Sequence, residues 1–272
     1  MENQTKDLEK IANKIRQLII ISLLHAGSGH AAGSLGMADI FTYLYFKFLR
    51  VFPQDPWNEK RDRFYLSNGH ICPVWYATLA VRGFFSVKEL TGLRDINSKL
   101  EGHPIYRSLP GIENTSGSLG QGISQAVGAA MGLKDRYNKI ICIIGDGEID
   151  EGQVWEAMMF LGNSNLKNIT IIVDRNNIQQ SENTESIMPL EPLQQKLEAF
   201  NLVTFQINGH DFNEINDVMK KIEIIERPTI IVANTIPGKG VSFMENDYTW
   251  HSKAPNKEEA KLAIEELKQE IT

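Results

Sequence analysis

Oxygen-bearing side chains recur in the middle of this sequence, in two loops that each follow an apolar run. Gly145-Asp146-Gly147 follows the first run, and Asn176 follows the second. A carboxylate and an amide oxygen suit a hard divalent cation such as Mg²⁺, which keeps phosphate oxygens as further ligands. Glycines such as Gly145 let a backbone approach phosphate closely, and a helix that opens near Glu151 would direct its positive end to the same spot. These residues predict a site where a divalent cation bridges a diphosphate.

Histidines form a second set of candidate reactive groups. Four of the six histidines lie in loops, namely His30, His70, His103 and His251. Loop imidazoles that titrate near neutral pH can transfer protons. His25, at a predicted helix end, and His210, beside the possible N-cap Asp211, are interpreted as structural. No histidine pair has the spacing of a zinc site, and neither a nucleophile elbow nor a dinucleotide-binding glycine pattern occurs.

The composition is that of a globular protein of ordinary charge. The chain has 272 residues, of which 42% are apolar and 23% are charged, and its net charge is -6. Without a basic run, a nucleic-acid or anionic-membrane partner is not expected. The apolar stretch 18–24 is too short to span a bilayer, and no signal peptide is recognised. Cys72 and Cys142 are expected to be reduced thiols, so we predict a cytoplasmic protein.

Apolar runs and helical periodicities alternate along most of the chain. This alternation predicts the α/β class, with a mainly parallel sheet of about five strands and helices on both faces. The predicted strands are 64–67, 140–144, the run before Asp174, 203–207 and 229–233. The predicted helices are 8–25, 37–49, one opening at 117–122, one from Glu151, 193–200, 212–225 and 256–270, with a glycine loop at 27–34. We interpret residues 1–272 as a single domain with an extended N-terminal helical layer and a C-terminal surface helix. The carboxyl ends of parallel strands would carry the site.

Six motifs occur in the order in which they occur in one enzyme family. They are Ser28-Gly29-His30 with Leu35-Gly36-Met37-Ala38, Leu66-Ser67-Asn68-Gly69-His70, Glu101-Gly102-His103-Pro104, Leu119-Gly120-Gln121-Gly122-Ile123-Ser124, the loops from Gly145 to Asn176, and Gly238-Lys239-Gly240-Val241-Ser242. Together they resemble the N-terminal, diphosphate-binding half of transketolase, which depends on thiamine diphosphate. The resemblance implies the thiamine diphosphate-binding fold, in its PP-type domain.

The resemblance also implies a role for particular residues. The expected cation ligands, for Mg²⁺ or for Ca²⁺ or Mn²⁺, are Asp146, Asn176 and the carbonyl of Ile178. The cofactor would contact His70 and Gly147 through its diphosphate, and Gly117 and Leu119 through its aminopyrimidine and bridge. His30, His103 and His251 would surround the hydroxyls of the donor sugar. Glu151 and Glu156 resemble residues at the family's subunit interface. Ala31, Ser34 and Ser118 stand where the family often has proline, so these loops lack the backbone restriction that proline gives in the family.

A full transketolase continues through a pyrimidine-binding domain that carries the glutamate that activates the cofactor. We therefore expect a separate C-terminal subunit, and an assembly of two copies of each chain in a heterotetramer. The assembled enzyme would transfer a two-carbon ketol unit from a ketose phosphate to an aldose phosphate. The alternatives are a 1-deoxyxylulose-5-phosphate synthase-like or 2-oxoacid dehydrogenase-like half-enzyme, and a non-catalytic cofactor-binding module. The sequences around His103 and Lys239 fit transketolase better.

Overall fold

A parallel β-sheet forms the centre of the molecule. The computed structural model describes the backbone of residues 2–269 and the side chains of residues 5–269. Within this part, the strands are β1 (Arg63–Leu66), β2 (Ile140–Gly145), β3 (Ile169–Arg175), β4 (Val203–Asn208) and β5 (Thr229–Asn234). All neighbouring strands are parallel, in the order β1-β2-β3-β5-β4. The predicted α/β class and the predicted parallel sheet are confirmed.

The central strands are buried on both faces, which explains why they read as continuous apolar runs. In β2, the side chains of Ile141 and Ile143 belong to one hydrophobic core. Ile140, Cys142 and Ile144 belong to the other core, because successive side chains of a strand point to opposite faces. Two separate cores therefore hold helices against the two faces of the sheet.

Helices cover both faces. On the first face lie α1 (Glu2–Ala26), α2 (Ala31–Gly36), α3 (Ala38–Tyr43), α4 (Cys72–Arg82), α9 (Phe212–Ile222) and α10 (Lys257–Gln269). On the second face lie α5 (Gln121–Gly132), α6 (Gly152–Gly162) and α8 (Leu193–Ala199), and α7 (Thr184–Ile187) is a single short turn. Leu44–Phe48 is π-helical, and 3₁₀ turns form at Gly69–Ile71, Val87–Gly92, Gly147–Asp150 and Tyr248–Trp250.

The N-terminal layer differs from its prediction. The first helix begins at Glu2 rather than at residue 8, and the predicted helix 37–49 is α3 followed by the π-helical turn. The predicted loop 27–34 is wrong in its second half, because Ala31–Gly36 is helical and buried. Its glycines allow close packing instead: a Cβ on Gly36 would lie 2.9 Å from the carbonyl oxygen of Ile236. The last predicted helix, 256–270, corresponds to α10 (Lys257–Gln269), and residue 270 lies outside the described residues.

A long irregular segment, 93–120, crosses the molecule between the Val87–Gly92 turn and α5. It has neither helix nor strand, but Leu93, Leu100, Leu109 and Ile112 are buried in the first core. These anchors fix the segment against the protein, so it can present its polar residues at a defined place. Across residues 2–269, every helix is too short or too polar to cross a membrane.

Candidate active site

A cleft of about 370 Å³ opens at the carboxyl ends of β1, β2 and β3. All but one of the predicted site residues line this cleft, and they come from separate segments of the chain. They are His30, His70, His103, Gly117, Leu119, Gly145, Asp146, Gly147, Asn176, Ile178 and His251. The structure therefore brings the two sequence constellations, the oxygen ligands and the histidines, into one cavity.

Asp146 lies directly after β2 and is 1% exposed. Its Oδ1 accepts a hydrogen bond from the backbone N–H of Gly147 at 2.7 Å. Its Oδ2 accepts one from the N–H of Asn177 at 2.7 Å and one from Arg175 Nη1 at 2.9 Å. Burial raises the pKa of this carboxyl, while Arg175 and the two backbone donors favour the charged form. The carboxylate is thus held in one orientation at the edge of the cleft.

Asn176 is oriented by its two neighbours in the same loop. Its Nδ2 donates to Asp174 Oδ2 at 2.8 Å, and its Oδ1 accepts from the N–H of Ile178 at 3.0 Å. Burial raises the pKa of Asp174 to about 7, although Thr235 also donates to this carboxyl. Asn177 adopts a left-handed backbone with φ of 62°, which asparagine tolerates better than most residues. The turn directs Asn177 N–H to Asp146, while Asn176 and Ile178 both line the cleft.

The donor set suits a hard cation and a diphosphate. Asp146, Asn176 and Ile178 all line the cleft, and their carboxylate, amide and carbonyl oxygens would provide an oxygen-only ligand set, as Mg²⁺ prefers. At Gly147, an added Cβ would lie 2.7 Å from Gln179 Cγ, so only glycine fits without displacing that side chain. The Oδ1 of Asn68 lines the same cleft, is buried and has no partner within the described chain. These features fit the predicted cofactor, and which residues contact it stays a prediction.

Glu148 organises the cleft and was missed by the sequence interpretation. It is 2% exposed, and its Oε1 accepts hydrogen bonds from Ser67 Oγ and from the N–H of Gly120. Its Oε2 accepts from the N–H of Gly145 at 3.1 Å. One carboxylate therefore joins the loops that follow β1 and β2 to the loop that precedes α5. An acidic residue next to a glycine turn was the available signal, but its partners are distant in sequence.

The imidazoles of His30, His70 and His251 contact one another. Their ring centroids are 4.9 Å apart for His30 and His70, 5.5 Å for His30 and His251, and 5.2 Å for His70 and His251. Burial is the first cause that lowers the pKa of each, with the neighbouring imidazoles adding to the effect for His30 and His70. The pKa of His30 falls to about 4. This pKa lies below the near-neutral range of an ordinary loop imidazole, so His30 is neutral at pH 7 in the chain alone.

His30 and His103 have further features that bear on chemistry. The Nδ1 of His30 is buried and has no hydrogen-bond partner within the described chain. His103 reaches the cleft from the irregular segment 93–120, and burial followed by the charge of Arg94 lowers its pKa. Arg94 also donates to Ser28 Oγ at 3.1 Å, so a cation stands beside these histidines. Neutral imidazoles with free nitrogen atoms can accept protons or hold hydroxyl groups.

Glu151 is the predicted site residue that lies outside the cleft, as does Glu156, which was predicted to lie at a subunit interface. Glu151 is an exposed residue at the N-cap of α6, and it is not among the lining residues. The 3₁₀ turn Gly147–Asp150 separates Gly147 from α6, so this turn, and not the α-helix, begins at the glycines. Glu156 is also exposed, on α6. Their predicted roles at the cofactor and at a subunit interface remain predictions.

The two other histidines and the two cysteines are not among the residues that line the cleft. His210 Nδ1 lies 2.7 Å from Asp39 Oδ2, and its Nε2 accepts from the N–H of Ile236 at 2.7 Å. Because Nε2 accepts, the proton of the neutral ring is on Nδ1. Asp211 caps α9, as predicted, and His25 lies in the last turn of α1. Cys72 and Cys142 are buried free thiols.

A parallel α/β sheet with oxygen-bearing side chains and imidazoles at its carboxyl edge is typical of a cofactor-dependent enzyme domain. The chain matches the family described as transketolase, thiamine diphosphate binding domain, over residues 8–270. It therefore belongs to the transketolase family, and the predicted resemblance is confirmed.

Two relatives match almost from end to end. The chain is 40% identical to the 6-deoxy-6-sulfo-D-fructose transketolase subunit SqwG of Clostridium sp. (strain MSTE9), over 99% of both chains. It is 38% identical to an apulose-4-phosphate transketolase subunit of Actinobacillus succinogenes, over 97% of both. These relatives confirm the interpretation as one subunit of a transketolase, which is a transferase, over the two other thiamine diphosphate half-enzymes.

A single-chain enzyme gives the corresponding structural match. The transketolase of Campylobacter jejuni superposes with a TM-score of 0.91 at 33% identity. The match covers 96% of this chain and 42% of that one, so the chain spans less than half the length of this single-chain relative.

Proposed function

We propose that this chain is the N-terminal subunit of a two-subunit transketolase that transfers a two-carbon ketol unit from a ketose phosphate to an aldose phosphate. The observation that carries the proposal is the convergence, in one cleft, of three oxygen ligands with four histidines. Simple cofactor binding needs the oxygen ligands and His70, whereas His30, His103 and His251 have a purpose only if a hydroxylated substrate enters the cleft. The non-catalytic module is disfavoured for this reason.

In this proposal Asp146, Asn176 and the Ile178 carbonyl hold Mg²⁺, or Ca²⁺ or Mn²⁺. The cation would neutralise the diphosphate of thiamine diphosphate, and His70 and Gly147 would also contact this diphosphate. Gly117 and Leu119 would contact the organic part of the cofactor. The support is the oxygen-only donor set and the glycine that no larger residue can replace without displacing Gln179. Bound there, the cofactor supplies the nucleophilic carbon and the electron sink of ketol transfer.

The protein itself holds hydroxyl groups and moves protons. Neutral His30 offers a buried, unpartnered Nδ1, which suits it to accept a proton from a donor hydroxyl. His103 and His251 line the same cleft and would orient the neighbouring hydroxyls. Their lowered pKa values keep these rings neutral at pH 7, so that each retains one acceptor nitrogen.

A separate C-terminal subunit completes the enzyme in this proposal. The relatives that match end to end are named as subunits, and the chain spans 42% of the single-chain Campylobacter enzyme. We propose an assembly of two plus two chains in the cytoplasm, where free thiols such as Cys72 persist. In the same proposal, residues 1–272 form one domain and neither nucleic acid nor membrane is a partner.

The substrates are expected to be sugars with an anionic end. One relative acts on apulose 4-phosphate by name, and the other on a sulfonated fructose. A phosphorylated donor is our first choice, and the sulfonated ketose is the second candidate because the relative named for it is 40% identical. Both can be assayed with the same acceptor aldose.

The decisive experiment mixes the chain with its candidate partner subunit, thiamine diphosphate and magnesium, and measures ketol transfer from each donor. We expect activity only in the full mixture. The matched control is Asp146→Ala, for which calorimetry should show loss of magnesium-dependent cofactor affinity. No transfer with either donor, while every component is folded and the cofactor binds, would refute the transferase and leave the binding module.

A further inference from the structure

Arg175 joins the candidate cation ligand to a distant surface segment. It is the last residue of β3, and its side chain is 4% exposed. Its Nη1 donates to Asp146 Oδ2 at 2.9 Å. Its Nη2 donates to Glu185 Oε1 at 2.5 Å and to Glu191 Oε1 at 3.0 Å. One buried guanidinium thus bridges a carboxylate in the cleft and two carboxylates outside it.

The carboxylates of Glu185 and Glu191 also accept hydrogen bonds from nearby backbone N–H groups. Glu185 Oε1 also accepts from the N–H of Leu190 at 3.0 Å, and Glu191 Oε2 accepts from the N–H of Leu193 at 2.9 Å. These bonds tie α7 and the start of α8 to the end of β3. Without Arg175, the segment 185–193 would lose the charge that both carboxylates contact.

Arg175 also changes the electrostatics of the cleft. Asp146 and Asp174 are both buried, and Asp174 has Thr235 and Asn176 as its donors, not a cation. Within residues 5–269, the positive side chain that contacts Asp146 is Arg175. A divalent cation on Asp146 would share that carboxylate with the guanidinium. Two positive groups on one buried carboxylate repel each other strongly, because little water screens them.

We propose that Arg175 is a positioning residue that neutralises Asp146 before the cation binds, limits the affinity for the cation, and couples this site to the segment 185–193. The proposal rests on the proposed function, because it assumes a cation at Asp146. A cation that is held less tightly exchanges more readily, whereas the carboxylate stays in place when no cation is bound.

The test compares Arg175→Met with Arg61→Met in the full chain. Arg61 pairs with Glu113 in another largely buried ion pair, and neither residue lines the cleft. Both variants should be less stable without ligands. Magnesium is then titrated by calorimetry at saturating thiamine diphosphate. We expect Arg175→Met to bind magnesium about tenfold more tightly than the wild type, and Arg61→Met to bind it as the wild type does.

A second variant separates charge from geometry. Arg175→Lys keeps the charge but loses the fork that contacts three carboxylates. We expect its magnesium affinity to stay within about threefold of the wild type. Hydrogen exchange at the amides of Leu190 and Leu193 should be faster in both Arg175 variants and unchanged in Arg61→Met.

The outcomes distinguish the two proposals. Equal magnesium affinity in the wild type and Arg175→Met would overturn the role of Arg175 and leave the proposed function intact. If no protein, the wild type included, responds to magnesium with thiamine diphosphate, then the cation site fails and this inference fails with it. If Arg175→Met does not fold, unchanged exchange at Leu190 and Leu193 in Arg175→Lys overturns the coupling.

Discussion

Glu148 offers the sharpest test of how the cleft is built. Its carboxylate is 2% exposed and receives three hydrogen bonds, from Ser67, Gly120 and Gly145. In Glu148→Gln, the amide oxygen can face Ser67 and Gly120, but the amide N–H₂ then faces the N–H of Gly145. Two donors would point at each other in a buried place.

The size of the effect follows from these bonds. A buried donor left without an acceptor costs about 1–3 kcal/mol, and the neutral amide weakens the other two bonds. Burial raises the pKa of Glu148, so removing its charge returns part of this loss. We therefore expect Glu148→Gln to lower the free energy of unfolding by about 2 kcal/mol. Glu148→Ala leaves all three donors unpaired and opens a cavity, so its loss should be about 4 kcal/mol.

Urea unfolding at pH 7, followed by circular dichroism, measures both losses. Ser67→Ala is the comparison variant: it removes one of the three donors and also leaves the N–H of Gly122, which donates to Ser67 Oγ at 3.0 Å, without that acceptor, so it should lose about 1–3 kcal/mol. The same proteins should bind magnesium and thiamine diphosphate more weakly in the order of their losses. The reasoning is refuted if Glu148→Gln is as stable as the wild type, or if Glu148→Ala is the more stable of the two variants.

Three further predictions follow from the cleft. Because the folded chain keeps His30 neutral down to a pKa of about 4, the unfolded chain binds an extra proton below pH 6.5. The free energy of unfolding should thus fall as the pH drops from about 6.5 to 4, and this fall should be about 2 kcal/mol larger in the wild type than in His30→Asn. Equal dependence on pH in the two proteins would contradict this prediction. His103→Asn and His251→Asn in the reconstituted enzyme should each lower kcat about 100-fold with unchanged magnesium and cofactor affinity, and a loss of that affinity instead would contradict their assignment to the sugar. Gly147→Ala should lower the free energy of unfolding by about 1–3 kcal/mol, because the new Cβ would lie 2.7 Å from Gln179 Cγ. In thermal unfolding, adding Gln179→Ala should restore at least half of this loss. A double variant no more stable than Gly147→Ala would exclude that clash as the cause.

The sequence predicted the elements whose signal is local. Strands such as β2 are long apolar runs because both faces are buried, and Gly145 and Asn176 mark their carboxyl ends. Parallel strands then bring those ends to one edge, so Asp146 could be placed near Asn176 without coordinates. The prediction of a loop at Ala31–Ser34 was wrong because glycines and small residues occur both in turns and in closely packed helices, and here they form a buried helix.

The missing parts of the site depend on contacts between distant residues. Glu148 meets Ser67, which precedes it by 81 residues, and nothing in either local sequence indicates the pair. Arg175 stands next to Asn176 in the chain, but its partners Glu185 and Glu191 become visible only when the loop is folded. The lowered pKa of His30 likewise arises from burial and from neighbouring imidazoles, neither of which a single sequence specifies.

The alignment of β2 with β3 sets the position of Asp146 relative to Asn176. Gly145 pairs with Asp174 at the end of the ladder, and the next residue, Asp146, donates its N–H to the carbonyl of Asp174 at 3.1 Å. A slip of one residue, about 3.3 Å, would move Asp146 away from Asn176 and also turn the isoleucines of β2 to the wrong faces. The hydrophobic residues that determine the strand alignment therefore also determine the spacing between Asp146 and Asn176. Natural selection for a stable fold and selection for the binding site act, at this edge, on the same few side chains.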